Sequence, residues 1–376
     1  MKPLAYYEAI ATLTGCIIGA GILGIPFVIV RAGFWTGMLV LFLLGIATLI
    51  IHLLVGEISL RSRTCHQLVG HAERLLGKPG KYVMTLSMIL GVYGALIAYT
   101  LGISQSLAAI FGISPLALGA LFYLLMAVLL YGGVRSLGNA ELWMELAKFL
   151  IFFAIIALLF LHPNFSTNRL LGFSWNNLLI PYGVILFAYV GTAAIPEVRE
   201  QMKTCPLLTK RAIIIGSAIP ILTYALFTIT VVSVSGGSTT EVASIGLAKL
   251  TGGITALLLH LFAIFAMATS FLALAFALKE TYTQDFTLPH AESFALTLAI
   301  PLVLIALGVH SFVRTLELTG TFAGGITAIL IVIMHAKSRT KRQRKPEYTL
   351  ALGNISYGIL ILIFAIGTLY QLVLLI

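Results

Sequence analysis

Eleven apolar runs of about twenty residues restrict what this chain can fold into, because a helix needs about that length to cross the hydrocarbon core of a bilayer. Only 10% of the residues are charged, whereas soluble domains carry about 25%. The sequence therefore predicts an all-α integral membrane protein with 11 transmembrane helices in a single domain over residues 1–376. The runs, numbered here as spans 1 to 11, lie at 6–30, 36–60, 83–111, 114–133, 140–161, 178–198, 207–235, 252–280, 290–309, 315–336 and 353–376.

The basic residues are distributed unevenly between the two sides of this predicted bundle. Most lie on the side of the N-terminus, including the run KSRTKRQRK at 337–345. The opposite side holds Arg31, Arg169, Lys249 and Arg314. The positive-inside rule then places the N-terminus in the cytoplasm and the C-terminus outside, in a multi-pass protein of the cell membrane. The net charge of +10 is thus a topology signal, and we expect the lipid bilayer rather than nucleic acid as partner.

The sequence contains no enzyme motif in a structural context where it could act. The connecting loops are too short for a soluble catalytic domain, and the sequence has no HExxH motif and no cysteine/histidine cluster. GAGILG at 19–24 matches the dinucleotide-binding pattern, but it lies within span 1 and follows no strand. We therefore predict that the protein is not an enzyme and has no metal or organic cofactor.

An internal repeat relates spans 1 and 6. GAGILGIP at 19–26 matches YVGTAAIP at 189–196, so that Gly21 corresponds to Gly191 and Pro26 to Pro196. Five spans separate the copies, so they cross the membrane in opposite directions. This predicts an inverted repeat of residues 6–161 and 178–336, with 353–376 as an additional helix. Paired spans interrupted by glycine and proline mark the binding site of many transporters.

A helix broken inside the membrane exposes N–H groups that favour an anion and carbonyl groups that favour a cation. An amino acid zwitterion carries both charges close together. The alternative is that the glycines only permit tight helix packing, because Gly15 and Gly19 also fit a GxxxG pattern.

Four segments in consecutive order resemble the amino acid/auxin permease family of the amino acid–polyamine–organocation superfamily. They are IGAGILGIP (18–26), YGALIAY (93–99), FAYVGTAAIPEV (187–198) and ATSFLALAF (268–276). The resemblance extends over spans 1 to 10. It implies a LeuT-type fold with a 5+5 inverted repeat and discontinuous helices 1 and 6. It also implies a secondary active transporter of amino acids.

The resemblance places the substrate carboxylate at Gly19, Ala20 and Gly21, and the amino group at carbonyls near Ile17, Ile18 and Phe187. Phe187 or Tyr189 would be the aromatic residue that closes over the substrate. Tyr93 in span 3 is assigned to the cavity or, equally, to helix packing. The substrate-binding set predicted in this way is Ile17, Ile18, Gly19, Ala20, Gly21, Tyr93, Phe187, Ala188, Tyr189 and Gly191.

Lys148 lies inside span 5, where an ionisable residue indicates function. In proton-coupled members of the superfamily a lysine at this offset occupies the place of a sodium ion, against carbonyls of helix 1 and hydroxyls of helix 8. The corresponding ion-coupling set is Lys148, Gly15, Ile18, Thr269 and Ser270. Two alternatives stay open, a structural Glu145–Lys148 pair and a Na⁺ site at Thr269 and Ser270.

We therefore predict a permease that works by alternating access as a proton-coupled importer or an exchanger. Its substrates would be neutral amino acids, aliphatic or aromatic, because no anionic residue is an obvious partner for a cationic side chain. A monomer would suffice. The alternatives are a sodium-coupled symporter, a transporter of another small organic solute on the same fold, and a receptor or channel built on helix packing alone.

Overall fold

The computed structural model describes residues 4–63, 66–132, 138–284, 286–341 and 343–373, with the backbone alone at 138–145, 284 and 372. This part of the chain is all-helical and contains no strand. Its α-helices are α1 (Leu4–Ile17), α2 (Gly21–Ala32), α3 (Phe34–Leu60), α4 (Leu68–Leu76), α5 (Lys78–Phe111), α6 (Pro115–Tyr131), α7 (Gly138–Phe160), α8 (Tyr182–Tyr189), α9 (Ile195–Gln201), α10 (Thr209–Ser235), α11 (Ala243–Thr251), α12 (Gly253–Gln284), α13 (His290–Ala306), α14 (Phe312–Thr319), α15 (Gly325–Ser338) and α16 (Asn354–Val373).

Several of these helices are suited to a bilayer. Within the described ranges, six helical segments are long and apolar enough to cross a membrane, and the bent pair α1–α2 makes a seventh. Three shorter apolar helices lie at Pro115–Tyr131, Leu146–Phe160 and His290–Ala306. The protein is therefore a multi-pass membrane-helix protein, as the apolar runs predict. The number of eleven spans stays a prediction.

Both glycine- and proline-containing segments are interrupted in the structure. Helix α1 ends at Ile17 and α2 begins at Gly21, with a bend of 52° between them. Helix α8 ends at Tyr189, and a 3₁₀ turn over Thr192–Ala194 precedes α9. The proline of the second segment lies in the first turn of α9, where its missing N–H costs no helical hydrogen bond. We refer to these interruptions as the first break and the second break.

A wide turn interrupts the segment that corresponds to span 10. A π-helical turn over Gly320–Gly324 joins α14 to α15. A Cβ atom at Gly320 would lie only 1.9 Å from the carbonyl oxygen of Gly183 and 2.6 Å from the backbone nitrogen of Phe187. Helix α8 therefore packs with its backbone directly against this turn. Such π-turns recur at functional sites in helical proteins.

A buried ion cluster closes the predicted cytoplasmic side. The carboxylate of Glu57, which is fully buried, accepts a hydrogen bond from Arg61 Nη2 at 2.6 Å and one from the Leu350 N–H at 2.7 Å. His335 Nε2 lies 3.0 Å from the same carboxylate. We call Glu57, Arg61 and His335 the Glu57 cluster. It holds α15 and the connection to α16 against the end of α3.

The connection between α15 and α16 follows the end of α3 over residues 343–350, which we call the strap. The N–H groups of Gln343 and Arg344 donate to the carbonyl oxygen of Arg61 at 3.1 and 3.2 Å. The Tyr348 hydroxyl donates to the Leu53 carbonyl oxygen at 2.7 Å. Burial and the nearby Glu57 charge raise the pKa of Tyr348 well above its ordinary value, so it remains a donor at physiological pH.

Removing the charge of Glu57 should destabilise the protein strongly. Glu57→Gln leaves the buried Arg61 guanidinium without its counter-ion, and breaking such a pair costs about 3–5 kcal/mol of unfolding free energy. The control is Glu73→Gln, because the Glu73–Lys81 pair is partly exposed at 3.0 Å and is worth at most about 1 kcal/mol. Thermal unfolding of the purified variants measures both. Equal losses in Tm would contradict the assignment of the Glu57 cluster.

Candidate functional site

The two breaks lie against each other, and a glycine makes room at each contact. A Cβ atom on Gly21 would lie 2.4 Å from the Ala188 Cβ and 2.5 Å from the Ala188 Cα. A Cβ atom on Gly191 would lie 2.4 Å from the Ile17 Cγ1. Real Cβ atoms do not approach carbon atoms this closely. The glycines of both breaks are therefore required by close approach of the opposite break.

Each break presents opposite partial charges. At the first break, the C-terminal end of α1 at Ile17 is negative and the N-terminal end of α2 at Gly21 is positive. The second break repeats the arrangement with the ends of α8 and α9. Neither Ala20 nor Ala194, the residues at the N-caps of α2 and α9, supplies a side-chain hydrogen bond. Backbone groups therefore supply the charge pattern at both breaks, and this pattern suits a zwitterion.

Tyr224 of α10 connects the two breaks. Its hydroxyl lies 2.7 Å from the Ile17 carbonyl oxygen and 2.9 Å from the Ala188 carbonyl oxygen, and the side chain is fully buried. A phenol has one proton to donate, so these two acceptors share a single donor. One carbonyl therefore retains capacity for another donor. The sequence analysis missed Tyr224, whose only signal is a tyrosine in the middle of an apolar span.

Two further hydroxyls approach the first break from α5 and α12. A Cβ atom on Gly19 would lie 3.0 Å from the Tyr99 Oη and 3.2 Å from the Ser270 Oγ. The Ser270 hydroxyl donates to the Ala266 carbonyl oxygen of its own helix at 3.0 Å. The structure thus brings Ser270, from the predicted ion-coupling set, to the predicted carboxylate position. The Thr269 hydroxyl likewise donates to a carbonyl oxygen of its own helix, that of Phe265, at 3.0 Å.

The Tyr93 side chain, also on α5, contacts other helices and not the breaks. Its hydroxyl lies 2.7 Å from the Tyr282 hydroxyl and donates to the Leu296 carbonyl oxygen at 3.1 Å. These partners belong to α12 and α13 and not to either break. Tyr99 is therefore the tyrosine of α5 that contacts the first break, and the assignment of Tyr93 to the substrate site stays a prediction without a contact that favours it.

The two aromatic candidates of α8 face different neighbours. Phe187 is half-buried and lies beside Gly320 in the π-turn. Tyr189 is almost fully buried, and its ring centroid is 5.3 Å from that of Tyr224. Phe187 therefore lies next to a wide helical turn, whereas Tyr189 is packed behind the second break.

Lys148 lies beside the first break. Only 5% of its surface is exposed, and it borders a small cavity together with Ile18, Phe149, Phe152, Thr223 and Phe262. Ile18 directly follows the end of α1, so the structure places the lysine beside the first break. The ion-coupling role of the set stays a prediction. Gly15 of that set lies within α1. The residue of α12 that borders this cavity is Phe262, which lies two helical turns before Ser270 of the ion-coupling set. The side chain of Glu145 lies outside the described residues.

Glu317, an ionisable residue inside span 10, did not emerge from the sequence analysis. Glu317 of α14 is half-buried and accepts a hydrogen bond from Gln371 Nε2 of α16 at 2.8 Å. Its Cγ would lie 2.9 Å from a Cβ atom on Gly183 of α8. The carboxylate therefore lies beside α8, two turns away from the second break, and an amide from the last helix engages it.

Known proteins resemble the chain along its whole described length. The tryptophan/tyrosine permease family matches residues 5–373. "Glutamine transporter 2" of Aliivibrio fischeri is 23% identical, and the match covers 93% of this chain and 95% of the relative. "Tyrosine-specific transport system 2" of Haemophilus influenzae is 25% identical over 96% and 94%. "Tryptophan-specific transport protein" of Shigella flexneri is 24% identical over 95% and 92%.

Proposed function

Since the chain belongs to the tryptophan/tyrosine permease family, we propose that it is a secondary active transporter that imports or exchanges neutral amino acids by alternating access. The family and the named relatives are transporters and permeases, not enzymes. The observation that carries the proposal is the contact of two helix breaks, Gly21 against Ala188 and Gly191 against Ile17. A site of this kind binds a zwitterion between helix ends.

The same contact supports a finer assignment of the fold. We propose a LeuT-type arrangement in which residues 6–161 and 178–336 form the 5+5 inverted repeat and 353–376 the additional helix. In support, the two breaks occur at the matching segments 19–26 and 189–196. The amino acid/auxin branch of the superfamily, and the cytoplasmic position of the N-terminus, belong to this proposal.

For the substrate, we place the carboxylate at the N-terminal end of α2 and the amino group at the carbonyls of Ile17 and Ala188. The residues proposed to bind it are those of the predicted substrate-binding set, with Tyr99 and Tyr224 added on the contacts described above. The names of the relatives mention glutamine, tyrosine and tryptophan, which are all neutral amino acids. Glu317, the carboxylate near α8, is engaged by Gln371, and this favours a neutral over a cationic substrate.

For the driving ion, we propose protons and assign the coupling to Lys148. Its burial beside Ile18 supports this assignment. A sodium ion at Thr269 and Ser270 is the second candidate, and the position of Ser270 beside Gly19 favours it. The Thr269 and Ser270 hydroxyls both donate to carbonyl oxygens of their own helix, which leaves the oxygen lone pairs of both available to a sodium ion.

A binding screen followed by counterflow tests the proposed function. The purified protein is heated with each of the twenty amino acids, and a ligand that binds the folded state raises Tm. We expect neutral amino acids to raise Tm, and the best of them to show saturable counterflow in proteoliposomes. A channel would give flux without saturation or counterflow. No response to any amino acid would shift the assignment to another organic solute, and a requirement for sodium would replace the proton.

Tyr224→Phe should weaken substrate binding while the bundle stays folded. The change keeps the ring beside Tyr189 but removes the proton shared by the carbonyls of Ile17 and Ala188. The hydroxyl holds both carbonyl oxygens in position for the substrate's amino group, and a positioning bond of about 1 kcal/mol corresponds to a rise in Kd of about fivefold when it is lost. Tyr182→Phe is the control, because it removes a single bond to the Phe364 carbonyl oxygen at 3.1 Å, away from the breaks. Calorimetric titration measures both, and equal affinities in the two variants would contradict the role of Tyr224.

A further inference from the structure

The short helix α4, between α3 and α5 on the predicted cytoplasmic side, carries a guanidinium whose nitrogen atoms are all buried. The Nε, Nη1 and Nη2 atoms of Arg74 are all shielded from solvent, and none has a hydrogen-bond partner among the described residues. A guanidinium offers five N–H donors and cannot lose its charge in a protein. Leaving such a group buried and unpaired is costly. Burial also lowers the pKa of Arg74, and the charge of Arg199 adds to this effect.

Other positively polarised groups surround Arg74. Arg199 of α9 is 9% exposed and donates from Nη2 to the Ser62 carbonyl oxygen at 2.8 Å. His71 of α4 is fully buried, with its Nε2 3.4 Å from the Ser59 Oγ and its Nδ1 without a partner among the described residues. The ring of His66 lies 5.5 Å from that of His71.

The pKa of His71 reflects both its burial and this concentration of positive charge. Burial lowers its pKa to about 3, and the charges of Arg74, His66 and Arg199 act in the same direction. His71 is therefore neutral at physiological pH and presents one N–H donor. A buried histidine near the charges of two arginines is expected to be neutral.

The acidic side chains of the neighbouring elements have other partners. Glu73 of α4 pairs with Lys81 at 3.0 Å, and Glu57 of α3 belongs to the Glu57 cluster. On α9, Glu200 pairs with Lys203, and Glu197 has a partner of its own. Helices α5 and α15, which pack on α4, add further basic groups, among them Lys78 and Lys337.

We propose that Arg74, His71 and Arg199 form a binding site for an oxyanion of the phosphate class. The planar fork of a guanidinium matches the oxygens of a phosphate, which accept two parallel hydrogen bonds from it. An anion bound here would join α4 to α9, the second half of the helix interrupted at the second break. The group is inorganic phosphate or the phosphate of an anionic lipid at the membrane surface, and the chemistry of recognition is the same for both.

The test compares phosphate with chloride on the purified full-length protein in a phosphate-free detergent. Thermal unfolding is followed at equal ionic strength and at millimolar anion concentration. We expect phosphate to raise the Tm of the wild type by about 2–4 °C relative to chloride. Arg74→Gln should lose this response and should be at least as stable as the wild type in chloride, because it removes an unpaired buried charge. Lys249→Gln is the control, since Lys249 is an exposed lysine of α11 that is not among the groups of the proposed site, and its loss should leave the response intact.

A second series identifies the source of the phosphate. The same proteins are titrated with micelles that contain phosphatidylglycerol or only phosphatidylcholine. A response to phosphatidylglycerol that needs Arg74, without one to inorganic phosphate, supports the site and assigns it to lipid. The proposal is overturned if neither probe raises Tm above its control, or if Arg74→Gln responds like the wild type. Should Arg74→Gln fail to fold, Arg199→Gln takes its place with the same expected loss.

Discussion

Gly21→Ala should abolish transport although it adds only one methyl group. The new Cβ would lie 2.5 Å from the backbone Cα of Ala188, and a backbone atom packed in a helix cannot move aside cheaply. Overpacking of this kind costs about 1–3 kcal/mol or more, and here it forces the first and second breaks apart. We expect uptake into proteoliposomes to fall at least a hundredfold, with the protein still recovered as a folded monodisperse species.

Gly358→Ala in α16 is the matched control for Gly21→Ala. A Cβ atom at Gly358 has open space within 4 Å, and alanine favours a helix by about 1 kcal/mol over glycine. This variant should transport normally and have an unchanged or slightly higher Tm. Uptake by Gly21→Ala close to that of Gly358→Ala would show that the contact between the breaks is not needed for function.

Lys148→Ala should uncouple transport from the proton gradient. If the Lys148 ammonium carries the coupled proton beside Ile18, a pH gradient of one unit supports up to about tenfold accumulation of substrate per proton. The variant should show no accumulation above equilibrium while substrate binding and exchange remain. Uptake under an imposed pH gradient and counterflow without one measure the two properties separately.

Lys249→Ala provides the comparison, because Lys249 is an exposed lysine of α11. It should accumulate substrate like the wild type. Undiminished pH-driven accumulation in Lys148→Ala would exclude the coupling role of that lysine. The sodium site at Thr269 and Ser270, or a structural pair with Glu145, would then be the better account of this region.

The sequence predicted the breaks but not the residue that connects them. Glycine and proline act on the backbone within a few residues, so GAGILGIP and YVGTAAIP indicate interrupted helices without knowledge of their neighbours. Tyr224 acts through contacts with Ile17 and Ala188, which are 207 and 36 residues away in the chain. A tyrosine within an apolar run has no periodicity that marks such contacts. The contacts of Tyr224 depend on how α1, α8 and α10 pack together, and the sequence does not specify this packing directly.

Two other features were beyond the sequence for related reasons. The helical pattern puts Tyr93 and Tyr99 in one span, but the neighbours α12 and α13 decide that only Tyr99 contacts a break. Arg74 counts in the sequence as one more basic residue of a loop, in agreement with the positive-inside rule. Its burial, and the position of Arg199 beside it, depend on the packing of α4 against distant parts of the chain.

The strap also dictates an order of events during synthesis. The Glu57 carboxylate and the Leu350 N–H are 293 residues apart in sequence, and the Leu53 carbonyl and the Tyr348 hydroxyl are 295 apart. The ribosome therefore synthesises α3 long before the strap that contacts the C-terminal end of this helix. During that interval the carboxylate must be held by Arg61 and by water at the membrane surface. The contacts between the strap and the end of α3 therefore form late, after the first helices have inserted into the membrane. A chain that stops before the strap would insert without forming these contacts.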